Sequence, residues 1–334
     1  MSTSSSRPRC PTATAPKRKT TTAACATMSS NKPAIPDLPL QFCGKWNQKS
    51  YRVLRELGRG ANGAVYLAAQ GGVRRAVKIG AEGMDLLMEV NVLKSVQQGR
   101  DVRVAPLVSD VDDLVINGRT FTFYAMEYLE GEQLDRYVKR MGTEWVPILM
   151  IQLLARLEIL HRHGWVFGDL KPENVMVTHA DKQVRLIDFG GVTKMGNAVR
   201  QFTEEYDRAA WQAGDRRADI AYDLFSLAVM AVRLSADPEV WKSRRQEPRQ
   251  TGLLCDIIRN SDSLYPYRVS LVKAFHGKYA SAGEMRSEML AIVRERTTGH
   301  RGKQASDSAG KLVGGLFVAS LLLLAGTLYY AWMM

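Results

Sequence analysis

The hydrophobic pattern of the chain changes at about Gly131, and this change limits the folds that the chain can adopt. Before Gly131 the apolar residues form short runs separated by glycine-containing turns, which predicts strands. After it they recur at helical spacing, most clearly over 146–163 and 219–234. Strands followed by helices predict an α+β domain with a small strand-rich lobe before a larger helical lobe.

The small lobe has a definite set of predicted elements. We expect strands over 51–57, 64–69, 74–79, 114–116 and 120–126, and a helix over 82–96. Asn117-Gly118 lies between the last two strands and is typical of a two-residue hairpin turn. This lobe should therefore be an antiparallel sheet with one inserted helix.

The globular domain is expected over 45–293, with the small lobe at about 45–128 and the large lobe at about 129–293. Residues 1–44 are basic, rich in Ser, Thr and Pro, and without apolar periodicity, so we expect a disordered tail. Such a segment also resembles an organelle transit peptide, and Met28 is a second candidate start. Residues 294–311 are polar and predict a linker.

Residues 312–334 contain no charged residue. As a helix they would be about 34 Å long, enough to cross a hydrocarbon core of about 30 Å. We expect a transmembrane helix rather than a buried core helix, with a basic flank that places the domain in the cytoplasm. Gly315 and Ala319 favour at most a weak homodimer through this helix.

The formal net charge is +12, which favours an anionic partner. Much of the excess lies outside the predicted domain, in Arg7, Arg9, Lys17, Arg18, Lys19, Lys32, Arg294, Arg296, Arg301, Lys303 and Lys311. No basic groove interleaved with aromatic residues is visible, so nucleic acid is not expected as a partner. Membrane lipid, contacted through the terminal helix and its basic flank, is the expected anionic surface.

A glycine-rich turn follows the first predicted strand. Gly58, Gly60 and Gly63 form the pattern G-x-G-x-x-G-x-V, and glycines let backbone amides approach phosphates closely. Dinucleotide-binding turns share this pattern but lead into a helix. Here 64–69 predicts a second strand, so the turn should form a hairpin that folds over phosphates.

Lys78 lies inside an apolar strand, in Ala76-Val77-Lys78. A lone buried charge is costly, so a buried lysine needs a partner or a substrate. Glu89 on the following helix is the candidate partner, because Glu82 is too close in sequence to fold back. Taken alone, Lys78 would be interpreted as a solvated lysine on an edge strand.

Segment 163–174 carries Asp169, Lys171 and Asn174 on one tight loop. Transfer of a phosphoryl group needs a group that orients the nucleophile, a positive charge and a magnesium site, and these three residues can supply them. Asp188 follows a second apolar run and precedes Phe-Gly. It would serve as a magnesium ligand, or alone as an ordinary turn-initiating aspartate.

These four motifs, in this order, resemble the eukaryotic-like (Hanks-type) Ser/Thr protein kinase family over roughly 50–290. The resemblance implies a bacterial member with a two-lobed protein-kinase fold, ATP and Mg²⁺ in the cleft, and Ser/Thr hydroxyls of proteins as substrates. It implies that the nucleotide is bound by Gly58, Gly60, Gly63, Val65, Ala76, Lys78, Glu89, Met126, Glu127 and Leu129.

The resemblance also implies individual roles. Lys78 would hold the α- and β-phosphates, Met126 would guard the back of the adenine pocket, and 127–129 would be the hinge. Asp169 would be the catalytic base and Lys171 would steady the γ-phosphate. Asn174 and Asp188 would hold magnesium, and Asp223 would brace the catalytic loop.

The chain departs from the family before the catalytic aspartate, where Phe167-Gly168 stands in place of His-Arg. Without that arginine a phosphorylated activation loop loses its main docking cation. We therefore expect activity that does not depend on activation-loop phosphorylation. Thr193 and Thr203 remain candidate phosphorylation sites with a modest effect.

The Ala-Pro-Glu that normally ends the activation segment is also missing. Residues 206–211 occupy that region, and packing of Trp211 would replace the ion pair of the family's glutamate with a late arginine. Lys278 is the cation nearest the expected late position.

Two other functions compete with a protein kinase. A nucleotide-binding pseudokinase scaffold at the membrane would be expected to lack Lys78, Asp169 or Asp188, and all three are present. A small-molecule phosphotransferase would share Gly168-Asp169, but that class usually lacks a lysine at the position of Lys171.

Overall fold

The computed structural model describes residues 35–60, 63–80, 83–97, 104–244 and 247–296. Most of the predicted tail, most of the predicted linker and the whole predicted transmembrane span lie outside these ranges. By its internal contacts the chain divides into two units, one up to Met285 and one from Arg286. Every site residue described below belongs to the first unit.

The small lobe is a six-stranded antiparallel sheet with one helix. Its strands are β1 (Gln41–Cys43), β2 (Ser50–Gly60), β3 (Gly63–Gln70), β4 (Val73–Gly80), β5 (Val108–Ile116) and β6 (Arg119–Glu127), in the spatial order β1-β2-β3-β4-β6-β5. Helix α1 (Gly83–Gln97) lies between β4 and β5 in sequence. Asn117 and Gly118 both have positive φ, as the predicted hairpin turn requires.

The sheet begins earlier than we predicted. Strand β1 lies within the expected disordered tail 1–44, and its Phe42 is buried. The Phe42 ring stacks on Tyr51 at 5.1 Å and meets Phe123 edge-on at 5.3 Å. The Ser-, Thr- and Pro-rich composition of 1–44 hid a short apolar alternation at its end, formed by Leu38, Leu40 and Phe42. Ile35 and Leu38 also pack against this core.

The large lobe is mostly helical. Its helices are α2 (Leu134–Met141), α3 (Val146–Arg162), α4 (Ile220–Ser235), α5 (Pro238–Arg244), α6 (Thr251–Arg259), α7 (Arg268–Phe275) and a final helix over 282–296. The final helix runs past the predicted domain end at Val293. Asp219 caps α4 by accepting a hydrogen bond from Tyr222 N.

Five short strands shape the loops of the large lobe. They are β7 (Gly131–Gln133), β8 (Trp165–Val166), β9 (Val175–Thr178), β10 (Val184–Leu186) and β11 (Thr193–Lys194). One sheet has the order β10-β9-β7, and β11 pairs with β8. These pairings fix the two ends of the 167–174 loop and the start of the segment after Asp188.

No helix in the described ranges combines the length and the apolar composition that crossing a bilayer requires. The predicted span 312–334 is not among the residues that the structure describes.

Candidate active site

The glycine-rich turn joins β2 to β3, with Gly60 paired to Gly63. A Cβ on Gly63 would collide with the carbonyl oxygen of Ile79 on β4, so this position accepts only glycine. Beside Gly58 and Gly60 the space is open. The two strands are therefore joined as the sequence predicts, and no neighbouring atoms cover the backbone at Gly58 and Gly60.

Sheet register brings the predicted cleft residues onto neighbouring positions. Val65 on β3 pairs with Lys78 on β4, and Ala76 on β4 pairs with Met126 on β6. Strand β6 ends at Glu127, whose backbone N–H donates to Leu107 O at 2.8 Å, and Leu129 beyond it is buried. The segment 127–129 thus directly links the small sheet to the large lobe.

Lys78 is buried and lies between two carboxylates. Its Nζ is 2.8 Å from both carboxylate oxygens of Glu89 and 2.7 Å from Oδ1 of Asp188. Burial alone would lower the pKa of Lys78, but the charges of Glu89 and Asp188 outweigh burial and raise it. The pairing of Lys78 with Glu89 that the sequence predicts is present, and the lysine stays charged.

Glu89 has further donors that sequence reasoning missed. Tyr124 donates its hydroxyl to Oε1 at 3.1 Å, and the backbone N–H of Phe189 donates to the same atom at 2.9 Å. Burial raises the pKa of Tyr124 and the negative charge of Glu89 raises it further, so the hydroxyl remains a donor. Helix α1 is thereby tied to β4, to β6 and to the segment after Asp188.

The catalytic loop gathers three polar side chains around Asp169. Lys171 Nζ donates to Oδ2 at 2.7 Å, and Thr203 donates its hydroxyl to Oδ1 at 2.8 Å. Lys171 also reaches the Thr203 oxygen at 3.2 Å. Asn174 donates to the backbone oxygen of Asp169 at 2.8 Å, which holds the loop in a tight turn.

The surroundings of Thr203 differ from those expected of a phosphorylation site. The sequence suggested a phosphorylation site, but its hydroxyl is engaged with Asp169 and Lys171. Thr193, the other candidate, is only 2% exposed, and its hydroxyl donates to Gly191 O at 3.0 Å. In this conformation neither hydroxyl is presented as a modification site.

Asp223 on α4 is fully buried and supports the loop from below. It accepts hydrogen bonds from the backbone N–H groups of Phe167 at 2.8 Å and Gly168 at 2.9 Å. Nε2 of His161 lies 2.9 Å from the same carboxylate. The bracing contact that the family resemblance implies for Asp223 is present.

The Phe167-Gly168 pair has a local physical basis. Gly168 has φ +81, a conformation that side chains rarely adopt, and a Cβ there would lie 3.0 Å from Gly191 O. Phe167 is buried and packs edge-on against Phe189 at 5.6 Å between ring centroids. Phe167 thus stands at the position of the family's histidine, and Gly168 at the position of its arginine.

Asn174 and Asp188 are close in the structure, because Ile187 N donates to Asn174 O at 2.9 Å. Burial would raise the pKa of Asp188, but the positive charge of Lys78 lowers it, so the carboxylate is ionised. One carboxylate and one amide oxygen at neighbouring positions fit Mg²⁺, which usually takes its remaining ligands from phosphates and water.

Two tryptophans pack in the region where the family's glutamate–arginine pair is absent. Trp211 and Trp241 are buried, with their rings 6.4 Å apart. Trp211 donates its indole N–H to Glu205 O at 2.8 Å, and Trp241 donates to Glu205 Oε1 at 3.0 Å. This supports the expected packing role of Trp211, whereas Lys278 is exposed.

Comparison with known proteins agrees with the geometry. The protein kinase domain family matches residues 51–310. The serine/threonine-protein kinase YabT of Bacillus subtilis (strain 168) is 42% identical over 249 residues, covering 74% of this chain and 72% of YabT. The probable serine/threonine-protein kinase SCO3848 of Streptomyces coelicolor is 26% identical, covering 76% of this chain and 41% of that protein.

A solved structure gives the same fold. The structure of vaccinia related kinase 3 aligns with a TM-score of 0.59 at 16% identity, covering 80% of this chain and 94% of that chain. A likeness at this identity concerns the two-lobed fold alone. Together with the family match over most of the chain, it means that the chain belongs to the protein kinase family.

Proposed function

We propose that the chain is a serine/threonine protein kinase that transfers the γ-phosphate of ATP to hydroxyls of proteins. The observation that carries this is the convergence of Asp169, Lys171 and Thr203 within one hydrogen-bonded group. Two further supports are the Lys-Pro-Glu-Asn sequence of the loop and the likeness to YabT, whose name describes that activity.

The side chains divide the work of the reaction. Asp169 would orient the substrate hydroxyl and accept its proton, and Lys171 would stabilise charge on the transferred group. Lys78, held by Glu89, would position the α- and β-phosphates, with the glycine hairpin above them. Asn174 and Asp188 would hold Mg²⁺, which when bound neutralises phosphate charge.

We also propose that activity does not require phosphorylation of the activation loop. Gly168 stands where the family's arginine would supply a docking cation for a phosphate, and its φ of +81 and the 3.0 Å from a Cβ there to Gly191 O disfavour any side chain at this position. The hydroxyl of Thr203 is bonded to Asp169 and that of Thr193 is buried. A segment already ordered by such contacts needs no added charge to order it.

We further propose that residues 312–334 anchor the kinase in a membrane with its catalytic domain facing the cytoplasm. The supports are the uncharged apolar length and the basic residues before it. The anchor would confine the enzyme near membrane-bound substrates and raise their effective concentration.

Purified full-length protein in detergent, incubated with labelled ATP, Mg²⁺ and a generic protein substrate, tests the activity. Wild type should label serine and threonine. Asp169→Asn should lower the rate at least about 100-fold, because a positioned base typically contributes this much. Nucleotide binding should be retained.

Asp262→Asn, an exposed carboxylate between α6 and α7, is the matched control and should keep the wild-type rate. Nucleotide binding by wild type without transfer would contradict the proposal and favour the pseudokinase scaffold. Equal rates for wild type and Asp169→Asn would also contradict it.

A further inference from the structure

An ion pair joins the activation segment to the helix that carries Glu89. Nη2 of Arg200 lies 2.6 Å from Oδ1 of Asp85 in the first turn of α1. Nη1 of the same guanidinium lies 3.7 Å from the Met88 sulfur. Arg200 and Asp85 are 115 residues apart in sequence, so the contact could not be predicted from the residues around either one.

Arg200 is held at a fixed place by its own backbone. Its N–H donates to Thr193 Oγ1 at 3.3 Å, and the preceding Val199 is buried. Val199 N donates to Arg216 O at 2.8 Å, and its side chain packs with Val166 and Tyr222. Since Val166 directly precedes the catalytic loop, the Arg200 backbone is positioned from that loop.

Asp85 is equally well placed to act on the cleft. It lies one helical turn before Glu89, so the two carboxylates are on the same side of α1. Glu89 holds Lys78 at 2.8 Å and accepts from Phe189 N at 2.9 Å. A shift of the first turn of α1 would therefore also move the Glu89 carboxylate, which holds Lys78.

We infer that Arg200 and Asp85 are positioning residues that hold α1 in its catalytic orientation without a phosphate. The activation segment supplies the cation and α1 supplies the anion. The ion pair between them therefore forms without phosphorylation of either residue. This inference rests on the proposed kinase function and explains how the site remains assembled although the loop carries Phe167-Gly168.

The solvent exposure of Arg200 and Asp85 limits how strongly their ion pair can stabilise the orientation of α1. The side chains of Arg200 and Asp85 are 36% and 35% exposed, so solvent and salt weaken the pair. An exposed pair contributes up to about 1 kcal/mol, which corresponds to roughly fivefold in an equilibrium. The pair can bias the orientation of α1 while adding little to overall stability.

The test is a double-mutant cycle on the full-length protein, with kcat/KM for ATP as the readout. Asp85→Asn and Arg200→Gln should each lower kcat/KM roughly fivefold. The double variant should fall by the same factor rather than roughly 25-fold, because both changes remove one interaction. Asp85→Glu should keep most of the activity, since it retains the charge.

The controls separate this inference from the proposed function. Asp256→Asn and Arg259→Gln break an exposed pair of 2.9 Å on α6 and should leave kcat/KM unchanged. Melting temperatures of all variants should match wild type. Wild-type rates for both single variants, or multiplicative losses in the double variant, would overturn the inference while Asp169→Asn still lowered transfer at least about 100-fold. If Asp169→Asn retained full activity, the proposed function itself would fail.

Discussion

Thr203 is the residue whose place in the molecule changes its interpretation most. From the sequence it is one of several hydroxyls in the activation segment. In the structure it donates to Asp169 at 2.8 Å and accepts from Lys171 at 3.2 Å. A hydroxyl between these two charged groups fixes their relative orientation before a substrate arrives.

Thr203→Val should therefore lower kcat at least roughly tenfold, because a hydrogen bond to a charged group contributes about 1.5–3 kcal/mol. Thr203→Ser should restore most of the rate, since it keeps the hydroxyl. Steady-state assays with labelled ATP measure both variants. A fully active valine variant would show that the hydroxyl does not assist Asp169.

The residues that could be predicted are those whose neighbours in sequence carry the signal. Asp169, Lys171 and Asn174 share one short loop, and Lys78 is conspicuous as a charge inside an apolar strand. Tyr124 could not be predicted, because its contact with Glu89 joins positions 35 residues apart. Only the folded sheet brings that hydroxyl to the carboxylate.

At the scale of elements, the hydrophobic period correctly predicted helices and strands that bury one face. The predicted helix over 146–163 corresponds to α3, and the strand over 74–79 corresponds to β4. Strand β1 escaped prediction because the composition of 1–44 outweighed the short alternation of Leu38, Leu40 and Phe42. The short helices α2, α5, α6 and α7 were not predicted individually, and α5 contributes one buried aromatic residue, Trp241. Such single anchors are set by tertiary packing.

Trp241 on α5 gives a test of this packing. It is 3% exposed, lies against Trp211 and donates to Glu205. Trp241→Ala should lower the free energy of unfolding by about 3–5 kcal/mol, the usual cost of removing a buried aromatic side chain. Urea denaturation followed by circular dichroism measures the change.

Trp46→Ala is the matched control, because that indole is 68% exposed. It should alter the free energy of unfolding by about 1 kcal/mol at most. Equal effects at Trp46 and Trp241 would mean that the pair beneath the activation segment does not stabilise the domain.

At the scale of the whole molecule, the residues proposed for catalysis and the segment proposed to anchor the protein in a membrane lie in different parts of the chain. Every catalytic and nucleotide-binding candidate named from the sequence lies between Gly58 and Asp188, and Thr203 follows them within the same unit, which ends at Met285. The proposed anchor begins at Leu312. The two properties should therefore be separable by changes confined to the end of the chain.

Deleting residues 312–334 should move the protein from the membrane fraction to the soluble fraction, with kcat for a soluble protein substrate unchanged. Replacing Leu322 and Leu323 with lysine keeps the length and should have the same effect, because each central lysine costs about 2.5–3.5 kcal/mol on insertion. Fractionation with carbonate extraction and assays on both fractions measure the outcome. Membrane association that survives both changes would place the anchor elsewhere in the chain. Lost activity in the soluble protein would mean that the terminal segment also supports catalysis.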